Sequence, residues 1–326
     1  MAMRLWVLFS MVLGLISVSS AQQISSLLER ANQEVSRVVE RALPAVVTVE
    51  VRIDGRSIRS SGFVIDTAGF VVCSADGLSG QPRATVYTYA GDSLEANVAG
   101  VDRITGIALL RVPSTAALRE ALSWGESERV PIGSTAILIG NRAGLEGSVT
   151  VGTLGGKDRV GVRRDNQRMV LLLQFNGTVG AGEQGAPLLD TQGRVIGVIV
   201  GDLASVEGAP VSAVSIVGFA VPAEIAQRVV NDLRTRGRAE HAWLGIDYQG
   251  LPTGVVVRRV VPNSPAAQAG IQVGDLITQF DGKPIRSAGD LTRALYFARP
   301  NQSVQLTLMR EGQILTVSVV LGKQSL

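Results

Sequence analysis

Residues 24–42 carry the hydrophobic pattern of an amphipathic helix. Apolar side chains recur every three or four positions between Ile24 and Ala42, a spacing that places them on one face of a helix. Pro44 follows directly, and proline disrupts the interior of a helix. We therefore predict one helix that ends just before Pro44.

Beyond Pro44 the pattern changes to short runs of β-branched and other apolar residues separated by glycine and aspartate turns. Regular short strands, with almost no helical periodicity for about 170 residues, predict a closed antiparallel barrel or sandwich. The predicted strands are 46–53, 62–65, 70–73, 85–89, 107–112, 135–139, 148–154, 195–200 and 215–221.

Two predicted hairpins share one form of turn. Residues 66–69 read Asp-Thr-Ala-Gly, and residues 190–193 read Asp-Thr-Gln-Gly. Each turn joins two apolar strands, as expected of a hairpin. This recurrence is what a duplicated barrel would show.

The last third of the chain has a different pattern. A predicted helix over 222–236 leads through a polar, arginine-containing stretch to Trp243. Strands and helices then mix within about 85 residues, which indicates a compact α+β module. We place the domains at 22–236 and 237–326. The predicted strands are 254–260, 276–280, 304–309 and 314–321, and the predicted helices are 265–269 and 287–298.

The first 21 residues have the form of a signal peptide. Met1 to Arg4 is short and basic, residues 5–18 are mainly apolar, and small residues at 19–21 suit a cleavage site. We expect export to the periplasm or the extracellular space, with cleavage near Ala21. The alternative is a segment retained as a membrane anchor, although the apolar run is shorter than the roughly 20 residues that a spanning helix needs.

Composition excludes several functions. The chain has 31 basic and 28 acidic residues and no long basic stripe with interleaved aromatics, so nucleic acid is not an expected partner. Cys73 is the single cysteine, which rules out an internal disulfide and favours a buried thiol. His241 is the single histidine. We expect it to be a linker or domain-edge residue, and we expect no metal or other cofactor.

Several motifs, in order along the chain, resemble the HtrA family of trypsin-fold proteases with a C-terminal PDZ domain. The resemblance implies a mostly β fold, with a two-barrel chymotrypsin/trypsin-like domain followed by an α+β PDZ domain. The motifs are 38–47, 61–66, Gly218-Phe219-Ala220-Val221-Pro222, Trp243-Leu244-Gly245-Ile246, 260–267 and 269–277.

The resemblance also assigns the positions of the catalytic triad, and none of them holds the family's residue. Asp76 stands at the position of the general-base histidine, Gly106 at that of the orienting aspartate, and Gln184 at that of the serine. A serine attacks only when a neighbouring imidazole takes its proton, and glutamine has no ionisable proton to give up. We therefore predict an inactive homologue. From the residues alone, Asp76 before Gly77 is typical of a turn.

The loop at 180–188 permits two further readings. Its backbone N–H groups around Gly182, Glu183 and Gln184 resemble the remnant of an oxyanion hole and could bind a carbonyl oxygen without turnover. The letters of 180–185 also match the Gly-x-Gly-x-x-Gly pattern of nucleotide-binding loops. Because Pro187 and a predicted strand follow, rather than a helix, we reject nucleotide binding.

The PDZ resemblance implies peptide binding. Trp243, Leu244, Gly245 and Ile246 resemble the loop whose N–H groups hold a terminal carboxylate. Leu291 and Leu295, one helical turn apart, would complete an apolar pocket with Leu244 and Ile246. For Leu295 a place in the module's core is an equally good interpretation.

We accordingly predict an exported pseudoprotease that binds C-terminal peptides or unfolded segments as a scaffold, chaperone or regulator in protein quality control. One alternative is an active HtrA-type endopeptidase that uses displaced residues. Another is a structural subunit that assembles with an active relative. The family often forms trimers through aromatics near the N-terminus, and no aromatic residue lies between Ala21 and Gly62, which argues against a trimer. Membrane contact is expected only if the N-terminal segment is retained.

Overall fold

The computed structural model describes residues 29–113, 117–118, 120–163, 168–201, 203–206, 209–210 and 217–324. The predicted signal segment at 1–21 lies outside the described residues, as does the first part of the predicted N-terminal helix. No helix in the described part of the chain is both long and apolar enough to cross a membrane.

The described N-terminal helix, α1, covers 29–42 and passes into a 3-10 turn, Leu43–Ala45. Val38 and Ala42, four positions apart, are buried in an apolar core that contains residues of both barrels. This is the apolar face that the sequence pattern predicts.

Six strands form the first barrel, in the closed order β1-β2-β3-β6-β5-β4. All neighbouring pairs are antiparallel, and the barrel interior is filled by β-branched and aliphatic side chains. The strands are β1 (Val46–Ile53), β2 (Arg56–Val64), β3 (Phe70–Ser74), β4 (Arg83–Thr88), β5 (Ser93–Asp102) and β6 (Ile107–Arg111).

The second barrel is part of an eight-stranded sheet in the order β13-β12-β8-β7-β10-β11-β14-β9, and an additional pairing of β8 with β9 closes six of the strands into a ring. Strands β12 and β13 extend the sheet from β8. The strands are β7 (Thr135–Arg142), β8 (Leu145–Arg163), β9 (Arg168–Asn176), β10 (Pro187–Leu189), β11 (Val195–Ile199), β12 (Leu203–Val206), β13 (Ala209–Pro210) and β14 (Gly218–Pro222).

The two similar turns do close equivalent hairpins, one in each barrel. Gly69 and Gly193 both have positive φ, at 87° and 79°, a conformation that glycine adopts without strain. The carboxylate of Asp66 accepts the N–H of Phe70, and that of Asp190 accepts the N–H of Arg194, at 3.1 and 2.9 Å. The repeated sequence therefore corresponds to a repeated backbone structure.

Helix α2 (Ala223–Arg236) follows the second barrel and packs against strands of both barrels. Its buried face includes Ile225, Val229 and Leu233, which share one side of the helix. Gly237 ends the helix with a φ of 70°, as is common for a glycine that follows a helix. The helix predicted at 222–236 is confirmed, whereas the domain boundary at 236/237 stays a prediction.

The C-terminal module is a five-stranded sheet in the order β16-β17-β18-β20-β21, with β19 paired to β18 and a separate β15–β22 pair. Strand β16 lies at one edge, and helix α4 packs against it. The predicted fold class is confirmed. The elements are β15 (Ala242–Trp243), β16 (Ile246–Leu251), β17 (Gly254–Val260), α3 (Pro265–Gln268), β18 (Leu276–Phe280), β19 (Lys283–Pro284), α4 (Ala288–Phe297), β20 (Ser303–Arg310), β21 (Gln313–Val320) and β22 (Gly322–Lys323).

Candidate functional sites in the barrels and the C-terminal module

The three residues assigned to triad positions lie on loops that meet one another. The N–H of Ala75, next to Asp76, donates to the carbonyl of Gly106 at 2.8 Å. The carbonyl of Gln184 accepts the N–H of Ser61 at 2.9 Å. The first contact joins the end of β3 to the β5–β6 turn, and the second joins the 180–188 loop to β2, the strand paired with β3. The assignment of the three residues to a triad rests on the resemblance and stays a prediction.

Asp76 and Gln184 face the same small space. A methyl group added to Gly201 would lie 2.2 Å from Cγ of Gln184 and 3.2 Å from Oδ2 of Asp76. The N–H of Asp76 donates to the hydroxyl of Ser74 at 3.2 Å, as expected for a residue in a turn. The structure therefore places the two polar side chains near one another, with glycine at 201 leaving them room.

Gln184 uses its side chain within its own loop. Its Oε1 accepts the N–H of Gly182 at 2.9 Å, and the carbonyl of Gly182 accepts the hydroxyl of Ser61 at 2.7 Å. The Gly182 N–H is one of the groups predicted to form an oxyanion-hole remnant. A ligand carbonyl would have to displace the Gln184 amide to reach it.

Glu183 ties the same loop to the second barrel. Its side chain is fully buried, and Oε2 accepts the N–H of Gly180 at 2.5 Å and Nε of Arg142 at 3.1 Å. Arg142 also donates to Thr150 and to the carbonyl of Thr178. A buried carboxylate needs such a partner. No local sequence pattern pointed to Arg142, because it lies 41 residues before Glu183.

Cys73 lies beneath this region as a fully buried residue, as predicted. Burial raises the pKa of its thiol well above the ordinary range, and the nearby charge of Asp76 acts in the same direction. The thiol is therefore a packing group, since the reactive form of cysteine is the thiolate.

His241 joins the first barrel to the C-terminal module. Its ring is buried, and Nε2 lies 3.0 Å from both carboxylate oxygens of Asp102 at the end of β5. The ring also meets Tyr296 of α4 edge-on, with centroids 5.7 Å apart. The predicted domain-edge position agrees with these contacts. The sequence did not predict a role for Asp102, because 139 residues separate it from His241.

The carboxylate of Asp102 is held in its charged form. Burial acts to raise its pKa, but hydrogen bonds from His241 and from Thr105 outweigh that effect and keep the pKa below the ordinary value for aspartate. The Thr105 hydroxyl donates at 2.5 Å and its N–H at 3.2 Å. Asp102 therefore organises the β5–β6 turn and binds the module at the same time.

A cleft of about 220 Å³ runs between β16 and α4. Leu244, Ile246 and Leu295 line it, and their predicted role in peptide binding stays a prediction. Leu291 is not among the lining residues. Its side chain is completely buried in the core of the module, and its predicted place in the pocket needs correction. The lining residues are Ile104, His241, Ala242, Trp243, Leu244, Gly245, Ile246, Asp247, Tyr248, Thr292, Leu295, Tyr296 and Gln324.

The predicted carboxylate loop has its carbonyls engaged and its N–H groups available. The carbonyls of Leu244 and Gly245 accept the N–H groups of Ala266 and Val261, both at 2.9 Å. No acceptor among the described residues takes the N–H of Leu244 or of Gly245. Gly245 has a φ of 84°, which turns the chain sharply at this point. The loop can thus donate two hydrogen bonds to a ligand.

A hydrogen bond crosses the cleft beyond this loop. Oη of Tyr248 on β16 lies 2.5 Å from Oγ1 of Thr292 on α4, and Thr292 also donates to the carbonyl of Ala288 at 2.9 Å. This bridge links the strand to the helix, and a ligand strand that extends past the loop along β16 would have to displace it.

Comparison with known proteins gives two domain matches. Residues 60–198 match the trypsin-like peptidase domain, and residues 242–321 match the PDZ domain. The first match contains the strands and loops that carry Asp76, Gly106 and Gln184. The second contains the cleft between β16 and α4.

Two relatives match across most of the chain. This chain is 28% identical to the putative serine protease HhoA of Synechocystis sp., and the alignment covers 83% of this chain and 71% of that protein. It is 29% identical to a probable periplasmic serine endoprotease DegP-like of Chlamydia trachomatis serovar D, over 81% of this chain. The chain spans only 54% of the length of the second relative.

A solved structure, the HtrA-type protease AlgW with tripeptide, superposes with a TM-score of 0.74. The alignment covers 89% of this chain and 97% of that chain at 22% identity. At this identity the likeness establishes the fold alone.

The prediction that the chain is not an enzyme is contradicted by these comparisons. Both relatives carry the names of serine proteases, and residues 60–198 match a peptidase domain. The prediction gave decisive weight to Asp76, Gly106 and Gln184. Those residues bear on one route to hydrolysis, through a Ser-His-Asp triad, and they do not by themselves decide whether the chain has activity.

Proposed function

We propose that this chain, which belongs to the HtrA family of trypsin-like peptidase domains followed by a PDZ domain, captures polypeptides by their C-terminal ends in the cleft between β16 and α4. The observation that carries the proposal is the loop at 243–245. It presents two unused N–H groups at the end of a cleft whose lining includes the aliphatic side chains of Leu244, Ile246 and Leu295.

The geometry suits the way in which PDZ domains read peptides. Strand β16 is at the edge of its sheet, so an extended ligand can pair with it as an additional strand. The ligand's carboxylate would then accept the N–H groups of Leu244 and Gly245, and its last side chain would lie between Ile246 and Leu295. The tripeptide named with the structurally similar AlgW supports peptide binding in general.

A screen of the full chain against peptides with randomised, free C-termini tests the proposal. We expect enrichment of aliphatic residues at the last position, because Leu244, Ile246 and Leu295 give the part of the cleft beside the loop an aliphatic surface. Enrichment should vanish when the same library carries C-terminal amides. A screen without any preference at the last position would contradict the proposal.

Cleavage of the captured polypeptide is a second candidate function, favoured by the names of the relatives and by the peptidase-domain match. Since Gln184 cannot act as a serine does, hydrolysis would use other groups. Casein digestion by the purified wild-type chain and by Gln184→Ala tests this function. Activity that co-purifies with the chain supports it, and no activity above a mock purification counts against it.

The cellular setting is also a proposal. Binding of unfolded ends outside the cytoplasm, as part of protein quality control, fits the periplasmic name of the DegP-like relative and the signal-like sequence at 1–21. Fractionation of expressing cells, with N-terminal sequencing of the exported protein, tests it. Assembly with an active relative stays a prediction that co-purification would test.

A further inference from the structure

We propose that Ile104, a residue of the first barrel, forms one wall of the peptide cleft and selects the last side chain of the ligand. This inference rests on the proposed function, since it concerns the specificity of the same cleft. It assigns a binding role to a residue of the peptidase domain, 138 positions before the matched PDZ segment begins at 242.

The burial of Ile104 has no explanation within its own barrel. Its side chain is only 9% exposed, yet it belongs to none of the three apolar cores formed by the described residues. It does line the cleft between β16 and α4. An aliphatic side chain is therefore covered where the barrel meets the C-terminal module, with part of its surface turned to the cleft.

The turn that carries Ile104 is fixed from both sides. The carboxylate of Asp102 accepts the N–H of Ile104 at 3.4 Å and that of Thr105 at 3.2 Å. From the module, Nε2 of His241 contacts the same carboxylate at 3.0 Å. These bonds hold the turn against the module, so the wall is a rigid part of the site.

Further contacts keep the module in place beside the barrels. Nη1 of Arg299 lies 2.5 Å from Oδ2 of the buried Asp232 on α2. Nη2 of Arg293, on α4 itself, lies 3.0 Å from Asp158 of β8, and its Nη1 contacts Glu128. Helix α4 is thus anchored to the second barrel while its other side faces the cleft.

The contacts of neighbouring residues place Ile104 near the end of the cleft that would receive the carboxylate. It is two residues from Asp102, whose partner His241 meets Tyr296 in the last turn of α4. His241 is also two residues before Trp243, where the predicted carboxylate loop begins. The last side chain of a ligand would therefore meet Ile104 together with Leu244, Ile246 and Leu295.

Branched aliphatic walls favour a branched aliphatic ligand residue. Ile104→Ala removes three carbon atoms from the wall, and apolar contact weakens with each carbon that is lost. Because only part of Ile104 faces the cleft, we expect valine-ended peptides to bind about tenfold more weakly. Phenylalanine-ended peptides should bind with the same or a higher affinity, because the enlarged pocket admits the ring.

The test measures the affinity of the full chain for two decapeptides that differ only in their last residue, valine or phenylalanine. We expect the Val/Phe affinity ratio to fall about tenfold in Ile104→Ala. In Ile104→Val, a smaller change that disturbs the fold less, the ratio should fall by a smaller factor. Ile132→Ala is the matched control, since Ile132 is 63% exposed elsewhere on the chain, and its ratio should equal that of the wild type.

The outcomes separate this inference from the proposed function. If the wild type binds both peptides and both Ile104 variants keep its ratio within about twofold, Ile104 does not select the ligand, and the proposed function stands. If the wild-type chain binds neither peptide, the proposed function fails and the inference fails with it. Circular dichroism of each variant confirms that a changed ratio does not reflect unfolding.

Discussion

Replacement of Gly245 by alanine is expected to weaken peptide binding by about 100-fold or more and to lower the free energy of unfolding by about 3 kcal/mol. Gly245 has a φ of 84°, and an added Cβ would lie 2.1 Å from Cβ of Ser264 and 2.6 Å from its Oγ. Ser264 cannot move freely, because its hydroxyl caps α3 by accepting the N–H of Ala267. The loop must therefore shift, and its N–H groups shift with it.

Gly274→Ala is the matched control for this prediction. Gly274 lies in the same module and also has a positive φ, 94°, but an added Cβ would meet nothing within 4 Å. We expect it to cost about 1 kcal/mol of stability through backbone strain alone and to leave peptide affinity unchanged. Isothermal titration with one valine-ended peptide and urea unfolding of both variants check the pair. Equal peptide affinities in the two variants would contradict the role of the 243–245 loop.

Removal of the Asp102 carboxylate should have the second largest effect. Asp102→Ala is expected to lower the free energy of unfolding at pH 7 by about 3 kcal/mol. His241 loses its buried hydrogen-bond partner, and the β5–β6 turn loses the hydrogen bonds that the carboxylate accepts. Glu95→Ala is the control on the same strand. The Glu95–Arg83 pair is exposed, with 69% and 65% of the two side chains accessible, so we expect a change of less than about 1 kcal/mol.

The same variant gives a pH dependence with a definite sign. Since the folded-state pKa of Asp102 is below its ordinary value, its contribution to stability is complete above about pH 4 and is lost as the pH falls through the folded-state pKa. The difference between wild type and Asp102→Ala should therefore shrink as the pH is lowered below about 4. Urea unfolding at several pH values measures this difference. A difference that stays constant into the acid range would show that the carboxylate is not held in its charged form by His241 and Thr105.

Sequence pattern predicted strands best where apolar residues are continuous. Strands β17 and β18 were predicted with the bounds that the structure shows. Short runs rich in valine, isoleucine and leucine between turn residues are typical of buried strands. Strands β5 and β16 were missed. In their sequences glycine, asparagine, aspartate and glutamine interrupt the apolar residues, so neither shows the continuous apolar run of a buried strand. Each nevertheless pairs with a strand next to it in the sequence.

The candidate sites were only partly accessible to sequence reasoning. Asp76, Gly106 and Gln184 could be singled out only through the family resemblance, since no local pattern distinguishes them. Leu291 and Leu295 are one helical turn apart, so the pattern alone could not tell which of them faces the cleft. The structure places the first in the core and the second on the wall.

Contacts between the domains were beyond prediction for a different reason. The bond from His241 to Asp102 and the ion pairs of Arg293 with Asp158 and Glu128 join residues more than 100 positions apart. Only the packing of the module against the barrels brings them together. Ile104 belongs to the same class, because its role depends on what lies next to it and not on its own sequence neighbours.

The central claim, that the cleft captures C-terminal ends, is tested most directly by one paired affinity measurement. The full chain is titrated with two decapeptides that share a valine at the last position and differ only in a free carboxylate or an amide. Two charge-assisted hydrogen bonds to the N–H groups of Leu244 and Gly245 predict an affinity at least about tenfold higher for the free acid. Equal affinities for the acid and the amide would contradict the claim.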